Sequence, residues 1–221
     1  MTRLIWLLVA ISLSFGLSYP LVATFPLDPG TAVAAKGAAV GLLAIAAALE
    51  ARTFDGRLLA IILALGSMGD VLIEGDLRRG AAVFAAAHVV SITLYLRNRR
   101  SAVTHWHWAV AASLPIAVAA TVVLLCRGRP EAAPFASYAL LLGTMASAAW
   151  LSRFPRAVGL GASLFLLSDM LIAARVGSGP DLFQLNAAIW LLYYVGQLAI
   201  FMGVSDSLAA RERSGGEADY S

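Results

Sequence analysis

Two aspartates, Asp70 and Asp169, stand inside long runs of apolar residues. An ionisable group at the centre of a membrane span costs about 2.5–3.5 kcal/mol on insertion scales, so its presence points first to function. Lys36, in the first turns of the second apolar run, and His88, midway along the fourth, are placed in the same way. Their neutral companions are Ser168, Tyr193, Tyr194 and Gln197, and Glu74 lies one helical turn beyond Asp70. Two carboxyl groups in a dry site suit general acid–base work, one giving a proton while the other takes one. They suit a proton relay equally well.

Each of these residues also has a plainer reading. An intramembrane aspartate or histidine can serve as a hydrogen-bonding group between helices. A lysine near a helix end can snorkel to the interface. Glu74, Asp76, Arg78 and Arg79 read as a charged turn, although Glu74 is close enough to Asp70 in sequence to line the same mouth. His105 and His107, two apart on a helix, face different ways and make poor joint metal ligands. No metal site and no cofactor is implied.

The elements that must position these groups follow from composition. Of 221 residues, 60% are apolar and 13% charged, the charged share being about half of the roughly 25% usual in soluble domains. Too little polar surface is available for a soluble enzyme, a nucleic-acid binder or a disordered chain, which leaves a polytopic membrane protein. The net charge of +3 does not argue for nucleic acid, because the arginines lie in short clusters between apolar runs rather than on one basic face. A single cysteine, Cys126, excludes an intrachain disulfide and any multi-cysteine metal site.

Eight apolar runs are long enough to span, near residues 4–23, 31–49, 57–73, 79–97, 105–125, 134–151, 157–175 and 183–206. The expectation is an all-α fold of eight transmembrane helices forming one domain over 1–210, with residues 211–221 a polar, disordered tail. The first run is longer than a signal-peptide core and reads as a retained helix. With both termini inside, the inner segments carry Arg3, Arg52, Arg57, Arg97, Arg99, Arg100, Arg153, Arg156, Arg211 and Arg213, against Arg78, Arg79, Arg127, Arg129 and Arg175 outside. That bias predicts cytoplasmic termini. Trp6, Trp106, Trp108 and Trp150 fall near span ends as interfacial anchors. Gly69-Asp70-Val71-Leu72-Ile73 echoes Ser168-Asp169-Met170-Leu171-Ile172 four spans later, as two four-helix halves in parallel repeat would do.

This topology places both aspartates and Lys36 in the outer half of the membrane, with His88, Tyr194 and Gln197 one or two turns deeper. Residues 194 and 197 are three apart and share a helix face. A single polar cavity open to the outer side would gather them all.

These residues resemble the YhhN-like lysoplasmalogenase family of integral membrane proteins. Leu65-Gly66-Ser67-Met68-Gly69-Asp70-Val71-Leu72-Ile73, followed by Gly80-Ala81-Ala82-Val83-Phe84 and His88, is similar to the family's Gly-Asp-x-x-Leu segment with its downstream glycine, phenylalanine and histidine. Gly161-Ala162-Ser163-Leu164-Phe165 running into Ser168-Asp169-Met170-Leu171 resembles its Gly-Ala-x-x-Phe-x-x-Ser-Asp run. Tyr193-Tyr194-Val195-Gly196-Gln197 resembles its closing Tyr-x-x-x-Gln helix, and Lys36 falls where the family carries a lysine. The chain departs from the pattern at Gly37, where proline often follows that lysine, and at Ser91, where a tyrosine commonly stands three residues after the histidine.

The resemblance implies hydrolysis of the vinyl ether of a lysoplasmalogen, a lysophospholipid taken from the bilayer, to a fatty aldehyde and a glycerophospho-headgroup alcohol. It implies Asp70 and Asp169 as the catalytic pair, one protonated and one charged, with either in either role. Lys36 would hold the phosphate or adjust the proton affinity of one aspartate. Glu74, His88, Ser168, Tyr193, Tyr194 and Gln197 would line the substrate site, and a bacterial inner (cell) membrane is the expected location. The rivals are a proton-coupled transporter and a non-catalytic lipid-binding protein. A membrane aspartyl protease would need glycine where this chain has Ser67.

Overall fold

The computed structural model describes residues 2–25, 28–130, 132–177 and 182–218. Among these residues there are eight helices: α1 (Arg3–Val22), α2 (Pro29–Glu50), α3 (Phe54–Gly75), α4 (Leu77–Arg97), α5 (His105–Leu125), α6 (Ala132–Leu151), α7 (Arg156–Gly177) and α8 (Phe183–Ala218). Each is long and apolar enough to cross a membrane, and each coincides with one of the eight expected spans. α8 differs at its end, continuing as helix past the expected boundary at residue 210 as far as Ala218. Ala209, Ala210, Arg211 and Glu212 are all good helix formers. Residues 219–221 of the expected tail lie outside the described residues.

Helix starts are set by side chains that accept the orphan amides of the first turn. Thr2 caps α1 and Thr53 caps α3. Asp76 closes the short α3–α4 turn by accepting from the amides of Arg78 and Arg79. Asp28 caps α2, with Pro29 in the first turn. The hydroxyl and the amide of Thr31 both donate to Asp28 and hold its carboxyl below the usual carboxylate range.

Seven helices close a ring in the order α1, α2, α3, α4, α6, α7, α8, and α8 also reaches across to α2 and α3. α5 stands outside, against α6 and α7, and its buried residues are Pro115, Val118 and Val122 alone. The two halves of the chain are packed differently: among the described residues α5 touches α7, whereas α1 does not touch α3. Small residues set the closest crossings. Ser67 Oγ donates to the Gly37 carbonyl at 2.7 Å. A Cβ placed on Gly37 would come within 2.7 Å of Val71, so the glycine lets α2 lie directly on α3. Gly161 and Gly196 meet backbone to backbone where α7 crosses α8.

A candidate active site at one end of the bundle

The ring encloses a cavity of about 620 Å³, inside the roughly 300–1,000 Å³ range of small-molecule sites. It opens at the end that carries the α1–α2, α3–α4, α5–α6 and α7–α8 connections. Helical periodicity gives each wall a ladder that descends from this mouth. On α3 it is Glu74 then Asp70; on α7 it is Arg175, Ile172, then Asp169 and Ser168. On α8, Phe183, Asn186, Trp190 and Tyr193 follow the same spacing. The two aspartates therefore lie below the rim, on opposite walls of one space.

Each aspartate accepts from a tyrosine of a different helix. Tyr193 Oη donates to Asp70 Oδ2 at 2.8 Å, and Tyr138 Oη, from α6, donates to Asp169 Oδ2 at 2.6 Å. Behind these phenols lies a second layer. Gln197 Nε2 is 3.5 Å from Tyr193 Oη, and His88 Nε2 is 3.0 Å from Tyr138 Oη. Asp70 is 2% exposed and His88 also 2%. Rings of Phe84 and Phe165 pack edge-on against Tyr193, and Phe165 also closes over His88.

Lys36 does not snorkel away. Its ammonium pairs with Glu74 at the mouth and sits 5.7 Å from the ring centroids of both Tyr19 and Trp190. Cation–π attraction adds to the ion pair in holding it there. Arg175 also lines the mouth, where its Nη1 donates to Asn186 Oδ1 at 2.5 Å. Among the described residues the rim thus carries two cations, Lys36 and Arg175, and the Glu74 carboxylate, while Val122, Phe135, Leu142 and Met170 make one side of the cavity apolar.

The expected site residues divide into three groups. Lys36, Asp70, Glu74, Ser168, Asp169 and Tyr193 all line the cavity; Ser168 spends its hydroxyl on the Ile189 carbonyl at 2.8 Å, tying α7 to α8. His88 and Gln197 are set one layer back, each behind a tyrosine. Tyr194 belongs to neither layer, because its hydroxyl lies 2.9 Å from Ser12 Oγ and its ring fills the space above Gly16 on α1. On α8 it is residues 193 and 197, one full turn apart, that share the face towards Asp70.

Tyr138, Tyr19, Trp190, Arg175 and Asn186 were not singled out from the sequence. Tyr138 is the most consequential of them. A tyrosine surrounded by Ala, Leu and Ser gives no signal of its own, and only the packing of α4 and α6 brings it to His88, fifty positions earlier in the chain.

No curated protein and no solved structure matches this chain. The YhhN family profile matches residues 31–204, from α2 into α8 and including, among the described residues, the polar groups that line the cavity except Tyr19 and Thr24; the chain belongs to the YhhN family.

Proposed function

We propose that this protein is a membrane-embedded hydrolase that cleaves the vinyl ether of lysoplasmalogens. The observation that carries the reading is that Asp70 and Asp169, far apart in sequence, face one cavity with a cation at its rim and an apolar wall. The YhhN family includes lysoplasmalogenases, and the cavity's chemistry suits that reaction.

A vinyl ether is cleaved by protonating its β-carbon. The π pair forms the new C–H bond, leaving an oxocarbenium ion at the α-carbon. Water adds there as a base takes its proton, and the resulting hemiacetal collapses to aldehyde and alcohol. One carboxyl group supplies the proton and a second, negative one steadies the cation and receives the proton of water, the division of labour of a glycosidase pair. The alkenyl chain lies along Val122, Phe135 and Met170, and the phosphate stays at the rim with Lys36 and Arg175. With cytoplasmic termini, as the arginine bias favours, the mouth opens to the outer side of a bacterial inner membrane. The five-residue echo around the two aspartates fits an ancestral parallel repeat whose halves have since diverged in packing.

The test uses the full chain in detergent with a lysoplasmalogen and its saturated ether analogue, following aldehyde. Release from the vinyl ether alone is expected. Asp70→Asn and Asp169→Asn, with folding intact, are each expected to reduce it by about 10²–10⁴-fold. Absence of aldehyde from every lysoplasmalogen headgroup tried would overturn the hydrolase and favour a carrier or a lipid-binding role.

A further inference from the structure

α5 stands outside the ring, yet Val122 on it lines the cavity. The ring is therefore open between α6 and α7 at that level, and α5 fills the gap. The cavity residues along this seam are apolar: Val122 on α5, Phe135 and Ala139 on α6, and Met170 and Ala173 on α7. The charged groups Lys36, Glu74 and Arg175 stand apart from it, round the mouth.

α5 is anchored at one point and latched at another. Pro115 presses on Gly143 of α6, where an added Cβ would lie 2.6 Å from the Pro115 Cα. Proline also leaves the Ala111 carbonyl without its helical partner, a common cause of bending. Before this point, residues 105–110 are all exposed. Beyond it the buried residues are Val118, Val122 and Cys126, a single stripe at helical spacing. From Pro115 to Cys126 the helix rises about 16 Å, and the latch to α7 lies at that far end. Cys126 Sγ donates to the Ala173 carbonyl at 3.6 Å, and Arg129 Nη2 donates to the Gly177 carbonyl at 3.0 Å. A thiol is a weak donor, and the arginine contact is exposed.

We propose that the seam between α5 and α7 is a lateral portal, through which the alkenyl chain of a lysolipid passes from the bilayer into the cavity as the mouth-side half of α5 swings on Pro115. The proposal rests on the vinyl ether hydrolase reading and gives its substrate a route. A single-chain lipid rests with its headgroup at the interface and its chain in the hydrocarbon core. Entry by the polar mouth would draw that whole chain through water, at a cost that grows with every CH₂. Entry through the seam keeps the headgroup at rim depth and the chain in apolar surroundings throughout. It also brings the vinyl ether, where the chain joins the glycerol, in just below the rim, at the level of Asp70 and Asp169.

A bridge that shuts the portal needs one added cysteine, because Cys126 on α5 already packs beside Ala173 of α7. Ala173→Cys, as the full chain in phosphatidylcholine vesicles, is assayed oxidised and again after reduction, so the same protein is its own control. With a long-chain lysoplasmalogen in those vesicles, oxidation should lower aldehyde release by about tenfold or more, and reduction should restore it. With a short-chain, water-soluble vinyl ether analogue the two forms should agree within about twofold, since the mouth stays open. Equal rates on the long-chain lipid, or an equal loss on both substrates, would overturn the portal. The native chain gives a second readout that needs neither the bridge nor turnover. Cys126 is 0% exposed, so a maleimide should reach it only when α5 leaves α7. The saturated ether analogue, which is not cleaved, should speed this labelling several-fold, and glycerol phosphate, which has no chain, should not. Labelling indifferent to the chain-bearing lipid overturns the portal while leaving the hydrolase standing. Chain-dependent labelling without aldehyde from any substrate keeps the portal and overturns the hydrolase, so the two failures are told apart.

Discussion

Trp190 Nε1 donates to the carbonyl oxygen of Gly16 at 2.6 Å, and that carbonyl is the one Pro20 leaves without its helical partner. Proline lacks the amide that would bond four residues back, so α1 has one free acceptor on the face it turns to α8. The indole fills it, and the same side chain flanks Lys36 at the mouth of the cavity. Trp190→Phe keeps most of the ring but strands the carbonyl. It is expected to destabilise the protein by about 1–3 kcal/mol. Pro20→Ala restores an amide to α1, so the cost of Trp190→Phe should be markedly smaller in the Pro20→Ala background. Thermal unfolding of the four proteins in one detergent measures the coupling; strictly additive effects would refute the pairing.

Much of this architecture was legible in the sequence and some of it was not, for identifiable reasons. The spans could be read because about 20 apolar residues between charged turns admit few other structures. The depth of Asp70, Asp169 and Lys36 followed from counting residues along alternating spans, and all three do reach one cavity. Azimuth was the missing coordinate. α5 is apolar all round, so nothing in its pattern told that it would stand outside the ring. Tyr194 and Gln197 are correctly three apart on a helix, yet the turn of α8 that faces Asp70 is centred one residue earlier, on Tyr193. For the same reason Tyr138 escaped notice, since its role depends on which face α6 shows to α4.

That one-residue difference makes neighbouring tyrosines a sharp contrast. Tyr193→Phe removes the hydroxyl that Asp70 accepts from and should lower kcat by about tenfold or more. Tyr194→Phe removes a hydroxyl that meets Ser12 between α8 and α1. It should cost about 1 kcal/mol of stability and leave kcat within about twofold. Steady-state aldehyde release beside thermal unfolding separates the two effects. Equal losses of kcat in both variants would mean that the cavity reaches further round α8 than its lining residues indicate.

Lys36 is held on three sides, by Glu74 and by the rings of Tyr19 and Trp190. Such a cation is positioned before any substrate arrives, which lowers the cost of ordering it on binding. Lys36→Met keeps the stem among the rings and removes the charge. Loss of one charge-assisted contact of roughly 1.5–3 kcal/mol should raise KM for a lysophospholipid by about 10–100-fold, with a smaller change in kcat. Glu74→Gln releases the ammonium from its carboxylate partner and should lower KM if the phosphate is the competitor for Lys36. A lysolipid titration of both variants checks the sign. A rise in KM for Glu74→Gln would place the carboxylate, rather than the lysine, in contact with the headgroup.

At the other end of the bundle Asn98 ties several helix ends together. It is 1% exposed. Its Oδ1 accepts from Arg153 Nε and Nη2 at 3.2 and 3.1 Å and from Arg211 Nη1 at 2.7 Å. Its Nδ2 donates to Asp55 Oδ2 at 2.7 Å and to the Leu94 carbonyl at 3.0 Å. One neutral amide thus joins the start of α3, the end of α4, the α6–α7 turn and the continuation of α8 beyond residue 206. An amide suits this position because it presents an acceptor to two arginines and a donor to a carboxylate at once. Asn98→Ala leaves all of them unpartnered there and should cost about 2–3 kcal/mol. Asn98→Asp keeps the arginine contacts but sets two carboxylates against each other, and Asp55→Asn in the same chain should restore much of the loss. Because the cavity lies at the opposite end, kcat per folded molecule should stay near the wild-type value in all three. Thermal unfolding and aldehyde release, measured on the same preparations, decide this, and a fall in kcat without a fall in stability would show that the two ends of the bundle are coupled.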